Sequence, residues 1–317
     1  MSVKRGVVLL LALLIDVFIG DPSNRYHPTA WMGTGIAKAK KKAPPQGDAA
    51  RLVYGATIAA GGASIVASIG RVFSALLDRL PALLAWPIEA AVLKSTFAWR
   101  GLRTAAGEVE TALASDLPEA RRLLSWRLVS RDTSQLDASQ VAAATIESVA
   151  ENTSDGVVAP MFYYTIAGLP AALAYRYLNT GDAMMGYHDP EHEWLGKAPA
   201  RIDDLANLVP ARLTALLLGA ASALAGENSR NAWRVWQRDH AKTESPNAGH
   251  PMSMMAGALD VELEKAGQYR LGEGQKRVAP EDIGRSVRVM NTATALAGGA
   301  FIGASVLAGL WLGRKRR

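Results

Sequence analysis

The chain of 317 residues contains no cysteine, which excludes disulfides, thiolate metal sites and a cysteine nucleophile. Charge is also scarce, at 20% of residues against 49% apolar, a balance too greasy for a disordered chain. Several familiar devices are missing. There is no G-x-x-x-x-G-K-[ST] loop, no H-E-x-x-H and no G-x-S-x-G, and Gly33-Thr34-Gly35 lacks the third glycine of a dinucleotide fingerprint. No internal repeat and no strand–helix alternation is visible, so a Rossmann sheet is not expected. Thirty-five Lys and Arg against 29 Asp and Glu leave a net charge of +6. Much of the surplus sits in Lys38–Lys42 and Arg314–Arg317, beside apolar runs, which fits anionic lipid headgroups better than a nucleic-acid surface.

What is present is a set of long apolar runs. Leu52–Gly70, Val157–Tyr175 and Val289–Gly313 contain no Asp, Glu, Lys, Arg or His. A spanning helix needs roughly 20 apolar residues, so these reach or nearly reach the length. Further apolar segments lie near 6–20, 80–99 and 205–226, the second broken by Pro81, Pro87, Glu89 and Lys94 and the third holding Pro210 and Arg212. The first has Lys4 and Arg5 ahead of it, but no small-residue cleavage site follows, so a retained helix is expected. Glycine and alanine recur in the runs, as in Gly61-Gly62-Ala63-Ser64, where small residues let helices approach closely. Tyr54, Trp86, Trp99, Tyr175, Tyr177 and Trp311 sit near run ends, as in an interfacial belt. The fold expected is all-α: one polytopic, membrane-embedded domain over 1–317 with about four to six apolar helices, polar helical and loop segments, and a flexible linker at 38–48. Lys and Arg concentrate in 25–51, 100–156 and 227–288, which the positive-inside rule places in the cytoplasm.

Four polar clusters border the runs. Asp21 and His27 flank a Pro-bounded turn and can converge on a ligand; the plainer reading is an Asp turn and a surface histidine. Glu147 and Glu151 share a helix face, and Asp155 continues the stripe if the helix persists. Like charges at that spacing repel, which a bound cation would resolve; the plainer reading is a solvated acidic face. Asp182 and Arg201, Asp203 and Asp204 lead into the run that holds Arg212, and charge beside or inside an apolar run is a functional candidate as well as a structural pair. Ser245 and Asn247 lie in S-P-N-A-G-H-P, a rigid loop suited to phosphate or carboxylate, or a plain turn. His188 and His192 look metal-like in spacing, but Pro190 opposes a regular helical pairing.

Six stretches, in this order, resemble the adenosylcobinamide-phosphate synthase family of cobalamin biosynthesis: Asp16–Gly33, Ser130–Asp137, Glu147–Pro160, Ala174–Tyr187, Ala200–Leu213 and Ser245–Gly257. Asp189–Trp194 and Glu262–Asp282 depart from the pattern. The resemblance implies an integral membrane enzyme, multi-pass in the cell membrane with its site on the cytoplasmic side. It would be an acid–amine ligase joining aminopropanol or its phosphate to a propionate carboxyl of adenosylcobyric acid, with ATP as co-substrate and Mg²⁺. A carboxylate must first be activated, plausibly as an acyl phosphate, and phosphoryl transfer needs positioning and charge neutralisation above all. On that resemblance Glu147, Glu151 and Asp155 are candidates for Mg²⁺–nucleotide, and Arg131 and Arg201 for phosphate clamps. Asp21 or His27 is the candidate base. Asp182, Asp203 and Asp204 are candidates for the amine or a second metal. Ser245, Asn247 and Asn152 are candidates for phosphate, nucleotide or corrin amides. The implied partners are the two substrates and membrane lipid, without nucleic acid; a homo-oligomer or a complex with other cobalamin-pathway enzymes stays open. The rival readings are a transporter, for which no paired half-helix repeat is visible, and a non-catalytic membrane scaffold for corrinoid enzymes.

Overall fold

The computed structural model describes residues 3–186, 193–265, 267–274 and 277–314. The regular structure of the described residues is almost entirely helical. The exception is a short antiparallel hairpin in which Leu263–Lys265 pairs with Tyr269–Leu271, Glu264 opposite Arg270. It falls in the Gly-rich stretch where the sequence predicts loop or weak strand.

The chain divides into two compact units. The first gathers 1–98, 159–207 and 298–317; the second gathers 99–158 and 208–297. The long helices Glu193–Leu224 and Pro280–Arg314 contribute residues to both.

Among the described residues three helices are long and apolar enough to cross a membrane: Asp48–Leu77, Glu193–Leu224 and Pro280–Trp311. The first carries the run beginning at Leu52 and includes a π turn at Thr57–Gly61. In the first unit it packs on Leu169–Met185 by small residues: a Cβ at Gly62 would collide with the Tyr177 ring, and one at Gly70 would lie 3.0 Å from Pro170. This is the close backbone approach that small residues permit where lipid supplies no hydrophobic drive.

The other apolar segments do not reach that length. Val3–Phe18 has 16 residues, about 24 Å of helix against a hydrocarbon core of about 30 Å. Ala82–Lys94 carries Pro87 inside it and ends at the buried Lys94. The uncharged run from Val157 to Tyr175, predicted as one span, is broken. Gly168 adopts φ +79, a left-handed conformation favoured by glycine, between the helices Ala159–Ala167 and Leu169–Met185, and Pro170 sits in the first turn of the second. Arg5 donates to the carbonyls of Thr165 and Ile166 at 3.1 and 2.8 Å, satisfying orphan groups at that helix end. The predicted linker at 38–48 is shorter, because the helix Pro28–Lys40 runs into it.

The second unit has a conventional core. Leu102, Val109, Leu124, Ile146, Met254 and Met290 meet in one buried cluster. The helix Ala138–Thr153 lies within it and starts at a capping box, Asp137 accepting from the Gln140 N–H while the Gln140 side chain accepts from the Asp137 N–H.

The Asp48–Leu77 helix leaves Ile65 and Ile69 63% and 62% exposed, on a stripe shared with Val72 and Leu76. An apolar stripe of this kind on a membrane-length helix faces lipid. Nitroxide labels on Ile65→Cys and Ile69→Cys, in a chain with no native cysteine, should therefore be relaxed by oxygen and shielded from a water-soluble nickel chelate. Chelate accessibility equal to that of a label at the exposed Ala50→Cys would contradict this assignment.

Candidate functional site

The motif residues of the first unit form two groups. After the first helix, the chain passes through a 3-10 turn at Asn24–Tyr26 into the helix Pro28–Lys40. His27 caps that helix, its Nδ1 accepting from the Thr29 N–H at 3.2 Å. Its Nε2 then donates to Asp21 Oδ1 at 3.1 Å, so both ring nitrogens are engaged. Asp21 also takes a hydrogen bond from Lys94, whose ammonium lies 3.2 Å from Asp16 Oδ1. Burial alone would raise the Asp21 pKa, but the hydrogen bonds from His27 and Lys94 outweigh it and hold the carboxyl below its ordinary value. Removing a charge from water costs several kcal/mol unless partners replace the solvent. Lys94 and Asp16 are both fully buried and supply each other with that partner.

The second group joins the helices Leu169–Met185 and Glu193–Leu224. Asp203 is buried, and its Oδ2 accepts from Asn207 at 2.9 Å. Asn207 in turn accepts from the Tyr175 hydroxyl at 2.8 Å. Asp203 Oδ1 is buried with no hydrogen-bond partner among the described residues, and Asp182 and Asp204 set like charge against it. Arg201 is exposed and reaches Asp204 at 3.6 Å. His188 and His192 lie outside the described residues.

The second unit likewise holds two groups. Glu147 lies on the buried helix Ala138–Thr153, only 6% exposed, with Arg131 3.5 Å from its Oε2. Its Oε1 is buried without a hydrogen-bond partner among the described residues. Burial pushes its pKa up to about 7, against the pull of the Arg131 cation and the Tyr269 hydroxyl, while Glu151 adds to the rise. The stripe from Glu147 through Glu151 does not continue in regular α spacing to Asp155. Residues Ser154–Val158 form a π turn, which widens the helix and changes the register. Asn152 bonds one turn back, to the Ser148 carbonyl at 3.0 Å and its hydroxyl at 3.2 Å.

In the other group, Ser245 Oγ accepts from the backbone N–H groups of Asn247 and Ala248 at 3.2 and 3.4 Å. Ser245 thus shapes the turn into the helix Gly249–Leu259. Asn247 Oδ1 accepts from Arg212 at 3.3 Å. Beside them, Trp236 Nε1 donates to His250 Nδ1 at 3.0 Å, and the rings of His240 and His250 lie 4.7 Å apart. Burial, with the neighbouring Arg212 and His240, lowers the His250 pKa to about 4, so at neutral pH this imidazole is uncharged and carries its proton on Nε2.

No group of three or more His, Asp or Glu among the described residues is placed to hold a metal unaided. Mg²⁺ needs less than that, because it binds through one or two carboxylates together with substrate phosphates and water. The buried, unbonded Oε1 of Glu147, one turn from Glu151, fits such a role.

A profile of the CobD/CbiB protein family matches residues 9–296. The chain belongs to that family. It is 41% identical over 293 residues to the cobalamin biosynthesis protein CobD of Dehalococcoides mccartyi strain CBDB1, covering 90% of this chain and 93% of that protein. It is 40% identical over 269 residues to the probable cobalamin biosynthesis protein CobD of Methanothermobacter thermautotrophicus, covering 84% and 86%. With the cobalamin biosynthesis protein CbiB of Salmonella choleraesuis it shares 37% over 312 residues, covering 93% and 95%. No solved structure matches the chain. A role in cobalamin biosynthesis follows from this membership.

Three groups in this family member pair with partners distant in sequence. Lys94 reads as an interruption of an apolar run, although a charge placed there is itself a signal. Asp16, inside the first run, is its buried counter-ion. The Trp236–His250 bond joins a helix to a loop motif 14 residues away, and no local spacing announces it.

The buried Glu147 makes a pH prediction. Between pH 4.5 and about 7 the folded carboxyl holds a proton that the unfolded chain has released, so stability falls as pH rises through that window. In Mg²⁺-free buffer Glu147→Gln should therefore melt above wild type at pH 8, by on the order of 2 kcal/mol, with the gap closing by pH 5. Parallel melting curves at the two pH values would contradict the buried-acid assignment.

Proposed function

We propose that this chain is a membrane-embedded, ATP-dependent acid–amine ligase, joining 1-amino-2-propanol or its O-phosphate to a propionate carboxyl of adenosylcobyric acid to give adenosylcobinamide or its phosphate. The observation that carries the reading is the family match across residues 9–296, a span that contains every motif acid and cation described above. The burial of Glu147 and Asp203, each with an unbonded oxygen and like charge beside it, supports it, because a bound cation or cationic group would relieve both.

The chemistry proceeds in two balanced steps. A propionate oxygen attacks the terminal phosphorus of ATP, forming an acyl phosphate and releasing ADP. The amine, having given its ammonium proton to water, attacks the acyl carbon; phosphate leaves and takes up the second proton released by the nitrogen. The chain's part is to place these groups and neutralise charge. Glu147 and Glu151 would hold Mg²⁺, which supplies charge neutralisation on the nucleotide phosphates when bound. Arg131, beside Glu147, would clamp a phosphate oxygen. The neutral His250 can donate from Nε2 to an amide carbonyl or phosphate, with Asn247 fixed beside it by Arg212.

The test is direct. Purified full-length chain in lipid nanodiscs, given adenosylcobyric acid, the amine, ATP and Mg²⁺, should yield the amide by mass spectrometry and one ADP per product. Omitting ATP should abolish it, and Glu151→Ala should lower turnover at least 100-fold at unchanged expression. Absence of amide from the wild-type chain with either form of the amine would overturn the reading.

A further inference from the structure

Lys94 ends the helix Ala82–Lys94 with a side chain only 2% exposed. A lysine is rarely so deep unless its ammonium is paired. Here it stands between Asp16, fully buried on the helix Val3–Phe18, and Asp21, on the segment that follows. Its hydrogen bond goes to Asp21 Oδ1, and the same oxygen receives the His27 Nε2–H at 3.1 Å. His27 cannot turn away, because its Nδ1 is held by the Thr29 N–H. Two donors thus fix one oxygen of Asp21 from behind. Its other oxygen, Oδ2, has no partner among the described residues, and the side chain is 34% exposed.

Two carboxylates share one ammonium here, which leaves negative charge on Asp21. The carboxylate that presents it is ionised over the whole physiological range, being held below its ordinary pKa. That property makes it a weak base and a durable anion. A divalent cation at Oδ2 would face the Lys94 ammonium bonded to the same carboxylate. A primary ammonium brings one charge and three N–H donors, which matches one anionic oxygen.

We propose that Asp21 is the recognition site for the primary ammonium of the acceptor amine, and that Lys94 is the positioning residue that holds Asp21 for it. The assignment rests on the ligase reading above and gives the amine a place in the first unit. Lys94 touches no substrate. It acts by locking Asp21 Oδ1, so that Oδ2 is presented in one orientation.

The experiment uses the full-length chain in nanodiscs, with initial rates against amine, corrinoid and ATP in turn. Asp21→Asn keeps the shape and removes the charge, and should raise the amine KM at least tenfold while leaving the corrinoid and ATP KM within twofold. Lys94→Met strands Asp16 and is expected to fold poorly, so the charge-balanced pair Asp16→Asn/Lys94→Met tests the positioning role. It should raise the amine KM at least threefold, and Lys94→Arg in the native background should stay closer to wild type. A merely structural role would lower the yield of active protein, and with it kcat, without moving the amine KM. An amine KM within twofold of wild type in Asp21→Asn overturns the proposal. Should the wild-type chain form no amide, the ligase reading fails by itself. Calorimetric titration with 1-amino-2-propanol then decides: binding lost in Asp21→Asn supports the ammonium site, and no binding to wild type, or equal binding to both, overturns it.

Discussion

An ionised side chain placed beside apolar helices must find a partner inside the protein, because lipid offers none and neighbouring water is scarce. That constraint organises this molecule. In the first unit Lys94 is held by Asp16 and Asp21, and Glu89 by Lys4 at 2.8 Å and the Tyr164 hydroxyl at 3.0 Å. In the second, Asp239 collects Arg238, Lys242 and the Gly272 N–H. Burial opposes its charge, yet these bonds outweigh burial and bring the Asp239 pKa to about 2. Such ion-paired sets read as structure, although Asp16 Oδ1 and Glu89 Oε2 meet a cation without a hydrogen bond of their own. Glu147 Oε1 and Asp203 Oδ1 are buried without a hydrogen bond and face like charge, from Glu151 and from Asp182, while Asp21 has one oxygen fixed from behind and the other open.

This contrast separates two uses of burial. A completed pair contributes stability and loses it when either partner is removed. A buried carboxyl without full partners costs stability, and a protein retains it where a ligand supplies what is missing. On the proposed reading the missing ligands are nucleotide phosphates, a corrin side arm and an amine, and the acids that would meet them lie within the span of the family match. Acyl transfer from a phosphate to an amine needs few covalent contributions from a protein, so a chain with no cysteine loses nothing by it.

Much of the fold was legible in the sequence, and the reasons for the rest are physical. The uncharged stretches at 52–70 and 289–313 became membrane-length helices because nothing in them interrupts backbone pairing except a tolerated π turn. The equally uncharged 157–175 did not, because Gly168 and Pro170 act on backbone geometry, which hydropathy does not register. The helix at Ala138–Thr153 is capped by Asp137 and Gln140, a local signature, whereas the π turn after it displaced Asp155 from the expected stripe. At the candidate site, residue types were readable but partners were not. Asp21 and His27 do meet, as their Pro-bounded turn allowed, yet Lys94, 73 residues away from Asp21, is what completes the contact. Ser245 proved to shape its own turn.

Lys94 is a shared, buried cation rather than a surface lysine folded inward. Unfolding free energies of wild type, Asp16→Asn, Lys94→Met and the double variant, measured in detergent micelles by tryptophan fluorescence, test this most directly. Each single variant strands a buried charge and should lose about 3 kcal/mol or more. The double variant removes both charges and should lose less than the sum of the two by about 2 kcal/mol or more. Additive losses, with the double variant as unstable as the two singles combined, would contradict the pairing and the function built on it.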